Sequence, residues 1–113
     1  MNVRLIIPMC PTQLEAIPAR YLERIARIAG GFTVFHGDGG WIDPQGLLIL
    51  EPVWIVETSI DHQGFQKVVA KKIHDLRQVA VKVCNDLNQD CVFLSFDGEA
   101  HYVLKDSSDM TPA

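Results

Sequence analysis

Phe65, Val69, Ile73, Leu76, Ala80, Val83 and Leu87 recur at steps of three and four residues. That spacing predicts one apolar face on a long helix. Lys67, Lys71, Lys72, Asp75, Arg77 and Lys82 fall mostly on the other side. A helix with one greasy stripe must bury it, so the rest of the chain has to supply a matching apolar surface. Part of it comes from a second helix in PTQLEAIPARYLERIARIAGG, where Leu14, Ile17, Tyr21, Leu22, Ile25, Ile28 and Ala29 share the same period. Thr12 and Glu15 have capping-box spacing and Pro18 suits a first turn. Gly30-Gly31 ends this helix, because glycine takes the left-handed cap at no steric cost.

The remaining apolar runs read as strands. Val3 to Ile7 is stopped by Pro8, Phe32 to His36 follows the first helix, and Leu47 to Thr58 follows the segment HGDGG. Pro52 cannot donate to a ladder, so the third strand is either bulged there or has a free edge at that point. CVFLSF, the turn Asp97-Gly98 and HYVL form a closing hairpin. The order β-α-β-β-α-β, with HYVL as an added C-terminal strand, predicts an α+β fold of the ferredoxin-like type, an antiparallel sheet with two helices on one face. Residues 1–105 make a single domain, residues 106–113 a flexible polar tail, and no repeat of solenoid length is present. The other sheet face is left open. Since V-W-I-V is apolar on both sides, that face is expected to be covered by a second copy of the chain.

Charge and cysteine content narrow the function. The chain has 113 residues, 48% of them hydrophobic, and 10 Lys+Arg against 14 Asp+Glu give a net charge of −4. A nucleic-acid binder needs a basic stripe to displace counterions, and there is none here. Cys10, Cys84 and Cys91 contain no C-x-x-C, which suggests a reducing compartment and buried structural thiols. The apolar run before Pro8 is too short for a signal segment or a membrane span, so the expected location is the cytoplasm.

Several residues invite chemistry. HGDGG could cradle a phosphate on backbone amides, but it lacks G-K-[ST], and a wide hairpin turn accounts for it better. His36 with Asp38, His62 and His101 show no paired metal-ligand spacing, so no metal is expected. Glu51 stands apart. It follows L-L-I-L and precedes P-V-W-I-V. A carboxylate in such a run must face solvent, a partner or a ligand, and beside an aromatic it could act as a base or hold a cation. Asn85, Asp86, Asn88, Gln89 and Asp90 form a polar hinge after the long helix. They read either as turn formers or as the rim of a pocket at the sheet end.

Two patterns together resemble known proteins. One is G-F-T followed by G-x-W-x-x-x-x-G-x-x-x-x-E, here Gly31-Phe32-Thr33 and then Gly39, Trp41, Gly46 and Glu51. The other is Gln89-Asp90-Cys91-Val92. The pair resembles a broad group of small ferredoxin-like proteins, many from phages and plasmids. Within it, C-N-D-L-N-Q-D-C-V is similar to C-N-E-W-E-Q-D-C-V of the phage S-adenosylmethionine hydrolases, now described as lyases. The resemblance implies a homotrimer with a nucleotide-like ligand between subunits at the open sheet faces. It also implies cleavage of S-adenosylmethionine to methylthioadenosine and homoserine lactone without cofactor, metal or enzyme nucleophile. Glu51 would be the family's acid at the start of the third strand and Asp90 a second acid beside Gln89. Trp41 stands where the relative has a tyrosine. The residues alone leave two other readings open: a non-enzymatic nucleotide or small-ligand binder, and a protein-interaction module of the same fold.

Overall fold

The computed structural model describes residues 1–9, 19–61, 65–89 and 91–104. Cys10, Thr12, Glu15, Pro18, His62, Asp90 and the C-terminal tail lie outside the described residues. The elements are β1 (Asn2–Pro8), α1 (Ala19–Ala29), β2 (Thr33–Ile42), β3 (Leu48–Ser59), α2 (Gln66–Asp86), β4 (Cys91–Phe96) and β5 (Glu99–Leu104). They build one sheet in the order β2-β3-β1-β4-β5 with every neighbouring pair antiparallel. Helices α1 and α2 share the face of Val3, Leu5 and Ile7. This is the predicted ferredoxin-like arrangement with β5 added at one edge. No helix among the described residues is long and apolar enough to cross a membrane.

The core follows from the strand period. Val3, Leu5 and Ile7 on β1 lie level with Thr58, Val56 and Trp54 on β3, and Val3 and Leu5 also with Phe96 and Leu94 on β4. These side chains bury against Tyr21 and Ile25 of α1 and Leu76, Val79 and Val83 of α2. Burying each Leu, Ile or Val contributes roughly 1.5–3 kcal/mol. The exposed Glu23–Arg27 and Lys71–Asp75 pairs along the helices contribute only about 0.3–0.5 kcal/mol each. The fold is therefore held by the core and not by its surface charges. One expected core residue differs: Phe65 is the N-cap residue of α2 and is 84% exposed, so the buried stripe of this helix is strongest in its C-terminal half.

One expectation for the β2–β3 region is corrected, and the alternatives at Pro52 are narrowed to one. HGDGG is neither a phosphate cradle nor a turn. It is strand, with Gly37 opposite Val53, Asp38 opposite Pro52, Gly39 opposite Glu51 and Gly40 opposite Leu50. Glycine leaves room for the bulky side chains of the neighbouring strand. A Cβ at Gly37 would stand 2.9 Å from Ile55 Cδ1, and one at Gly39 3.1 Å from Val53 Cγ1. The turn comes later, where Gly46 N–H donates to the Asp43 carbonyl and the Asp43 carboxylate accepts from the amides of Gln45 and Leu47. Gly46 has φ +82°, which suits glycine there. Pro52 causes no bulge. Its carbonyl accepts from Met9 N–H at the point where β1 ends, so its missing donor faces the free edge.

At the other hairpin, Asp97 (φ 50°) and Gly98 (φ 84°) both adopt the left-handed conformation of a tight two-residue turn. The helices are tied together at the N-terminal end of α1. Tyr21 is almost fully buried, and its hydroxyl donates to Asp86 Oδ2 at 2.8 Å while Arg20 Nη2 donates to the same phenol at 2.9 Å. Burial, then the bond to Asp86, raises the Tyr21 pKa. That bond, with the positive charges of Lys82 and Arg20, holds the Asp86 carboxyl below its ordinary value. A group with a lowered folded-state pKa stabilises fully above its unfolded value, about 3.9 for aspartate, and loses that contribution as pH falls through the folded value. Tyr21→Phe is expected to cost about 1–2 kcal/mol at pH 7. Urea unfolding should show the gap between variant and parent narrowing as pH falls below about 3.9; a gap that does not narrow with falling pH would mean the bond does not depend on ionised Asp86.

Candidate functional site

The open face of the sheet is divided along its length. Glu57 and Glu51 lie on it together, because the register passes through Pro52 without a shift. At one end Glu57 is paired with Arg4, Oε2 to Nη2 at 2.9 Å. A shallow polar depression of about 420 Å³ beside it, lined by Asn2, Thr33, Glu57 and Thr58, thus has its carboxylate already satisfied. At the other end lies an apolar trough of about 490 Å³. Its floor is Ile6, Pro8 and Val53. The β2–β3 hairpin contributes Gly39, Trp41 and Glu51 to one side, and β4–β5 contribute Cys91, Phe93 and Tyr102 to the other, with Gln89 at the end.

Each of these positions has a local cause. β1 ends at Pro8, opposite Val53, and Met9 N–H reaches the Pro52 carbonyl, so from Leu48 to Glu51 strand β3 is paired only with β2. The hairpin continues past the sheet as an arm. On the arm Glu51 is opposite Gly39 and Trp41 opposite Ile49, which brings Glu51 and Trp41 to the trough side. Glu51 is half-buried and carries no ion pair or hydrogen bond to a described residue. Gln89 is set by the end of α2. Leu87 caps the helix, Asn88 follows at φ 53°, and the amides of Asn88 and Gln89 donate to the carbonyls of Asn85 and Cys84. This is a Schellman cap with asparagine in the left-handed position. The buried Cys84 thiol donates to the Gln89 carbonyl at 3.0 Å and fastens the corner further.

Trp41, Glu51 and Gln89, read from the sequence as site residues, therefore share one trough. Asp90 lies outside the described residues. Ile6, Phe93, Cys91 and Tyr102 were not singled out. Their signal is only the two-residue period of β1, β4 and β5, which assigns a face but not a role. Cys91 departs from the expected buried thiol, since it opens β4 on the open face and is exposed. The other early candidates do not join the trough. His36 packs at a tilt of 59° against Trp54 with ring centroids 4.0 Å apart, and His101 packs edge-on against Phe96. Among the described residues no three of His, Cys, Asp or Glu converge in a way that could hold a metal ion.

No protein-family profile and no curated protein matches the sequence. Comparison of folds does give matches. A phage SAM lyase in complex with S-methyl-5'-thioadenosine superposes with a TM-score of 0.62 at 9% identity, covering 96% of this chain and 92% of that one. The fold is that of phage SAM lyase. A phage SAM lyase in the apo state gives 0.60 at 12% identity, covering 93% of this chain and 89% of that one. With identity this low, the likeness is a statement about the fold.

Proposed function

We propose that the chain is an S-adenosylmethionine lyase, working at troughs that are completed between copies of a homo-oligomer, a trimer by the sequence resemblance. The observation that carries the reading is the meeting of Trp41, Glu51 and Gln89 in one apolar trough, on a fold shared with a protein solved with S-methyl-5'-thioadenosine. The reaction makes modest demands. A carboxylate oxygen of the substrate bonds to its own γ-carbon, the γ-carbon–sulfur bond breaks, and the electron pair stays on sulfur. The products are neutral methylthioadenosine and homoserine lactone, and neither water nor a side chain is consumed.

What such a reaction asks of a protein is a folded-back substrate held away from water. In this reading Glu51 holds the sulfonium, Trp41 packs against it with its ring face, and Gln89 orients a polar end of the ligand. The described lining holds one carboxylate and no Lys or Arg, a balance suited to a cationic ligand. Purified protein mixed with S-adenosylmethionine is expected to release methylthioadenosine and homoserine lactone, resolved by chromatography. Absence of both products would end the lyase reading.

A second reading uses the same trough without turnover. The tryptophan at position 41, where the relative has a tyrosine, favours it, because an indole lacks the phenolic hydroxyl beside the carboxylate. Such a protein would sequester a nucleoside, and a ligand released intact on denaturation would mark it.

A further inference from the structure

Tyr102 is 67% exposed, a costly position for a large ring on a strand. It is also braced on one side. Its cross-strand partner is Phe93, and the two rings meet edge to face with centroids 5.7 Å apart at 74°. The Tyr102 hydroxyl has no partner among the described residues. An exposed ring braced by a neighbour, at the border of a trough, offers a face on which a planar group can stack.

The strand order adds a constraint. Trp41 is on β2 and Tyr102 on β5, the two edges of the sheet. Four strand steps at about 4.8 Å separate them by roughly 19 Å along a flat sheet. They do not grip the same ring within one copy. A ligand engaging both must have two parts, one planar and one that meets the carboxylate of Glu51. We infer that the exposed face of Tyr102, braced by its edge contact with Phe93, is a stacking platform for the purine of a nucleoside ligand, with the ligand's side arm reaching toward Trp41 and Glu51. The assignment rests on the proposed use of this trough and goes further by dividing it into two subsites. The face of any base can stack on such a platform, so it supplies grip and leaves discrimination to the polar end.

Isothermal titration with adenosine and with S-methyl-5'-thioadenosine, on the parent protein, Tyr102→Ala and Tyr102→Phe, tests the platform. Tyr102→Ala is expected to weaken both ligands about tenfold or more, while Tyr102→Phe stays within about twofold because the ring remains. Circular dichroism checks that the variants fold. Equal affinity in Tyr102→Ala and parent overturns the platform even if the parent cleaves S-adenosylmethionine. Equal loss in Tyr102→Ala and Tyr102→Phe overturns it in favour of a hydroxyl contact. A parent that binds adenosine through Tyr102 but does not cleave S-adenosylmethionine sinks the lyase reading and leaves the platform standing. A parent that binds neither nucleoside overturns the platform, and the lyase reading then stands or falls on product release from S-adenosylmethionine.

Discussion

Glu51→Gln is expected to raise KM for S-adenosylmethionine about ten- to a hundredfold and to leave kcat unchanged or slightly higher. Two unit charges about 4 Å apart interact by roughly 4 kcal/mol at an effective dielectric near 20. Glu51 is only half-buried, so screening reduces this to about one-third to two-thirds of that, or ten- to a hundredfold in affinity. The division between KM and kcat follows from the chemistry. The sulfonium and the attacking carboxylate of the substrate neutralise each other as the lactone closes, so the charge that Glu51 holds is fading in the transition state. A carboxylate that stabilises it favours the bound substrate at least as much as the transition state, and its removal appears in binding. Methylthioadenosine carries no charge, and its affinity should change by less than about twofold. Initial rates over a range of substrate concentrations, with a binding isotherm for methylthioadenosine, measure both quantities. A fall in kcat at constant KM would assign Glu51 to the reacting atoms instead of to the sulfonium.

The same residue shows how far the sequence can be read. A carboxylate between L-L-I-L and P-V-W-I-V is conspicuous locally, and its partner Trp41 lies on the same hairpin. Gln89 is remote in the chain, and only the crossover through α2 and the central position of β1 bring its corner to the trough. The helices and most strands were legible because burial imposes periods of 3.6 and 2 on long runs. HGDGG was not. Its glycines look like a turn until Ile55 and Val53 of the facing strand are known, because the pressure for glycine comes from the partner strand and not from the local chain. Tyr102 was hidden for a related reason. In H-Y-V-L both faces carry bulky side chains, so the period alone cannot tell that Val103 enters the core while Tyr102 borders the trough.

The arm has a second face. Opposite the trough side, Ile42, Leu48 and Leu50 are 63%, 62% and 70% exposed, and Leu47 at the turn is 63% exposed. A two-stranded ribbon is only marginally stable in water by itself, and clustered aliphatic exposure of this kind marks a contact surface. The arm also lengthens the protomer, whose extents are 47 × 29 × 24 Å. An arm reaching from one copy to a different surface on the next is a head-to-tail contact, which gives a ring when the rotation between copies closes and an open filament when it does not. Leu48→Glu with Leu50→Glu is therefore expected to convert a homo-oligomer of the 12.6 kDa chain into monomer, read by sedimentation velocity. Both residues are strand neighbours of Ile42 and Gly40 on the face away from Glu51, so neither change removes a trough side chain. If each trough is completed by a neighbour, activity falls with assembly, and mixing variant with parent should poison the parent's oligomers. A parent chain that sediments as a monomer at all concentrations would refute the shared site. A monomeric variant with full turnover would show that one protomer's trough is sufficient.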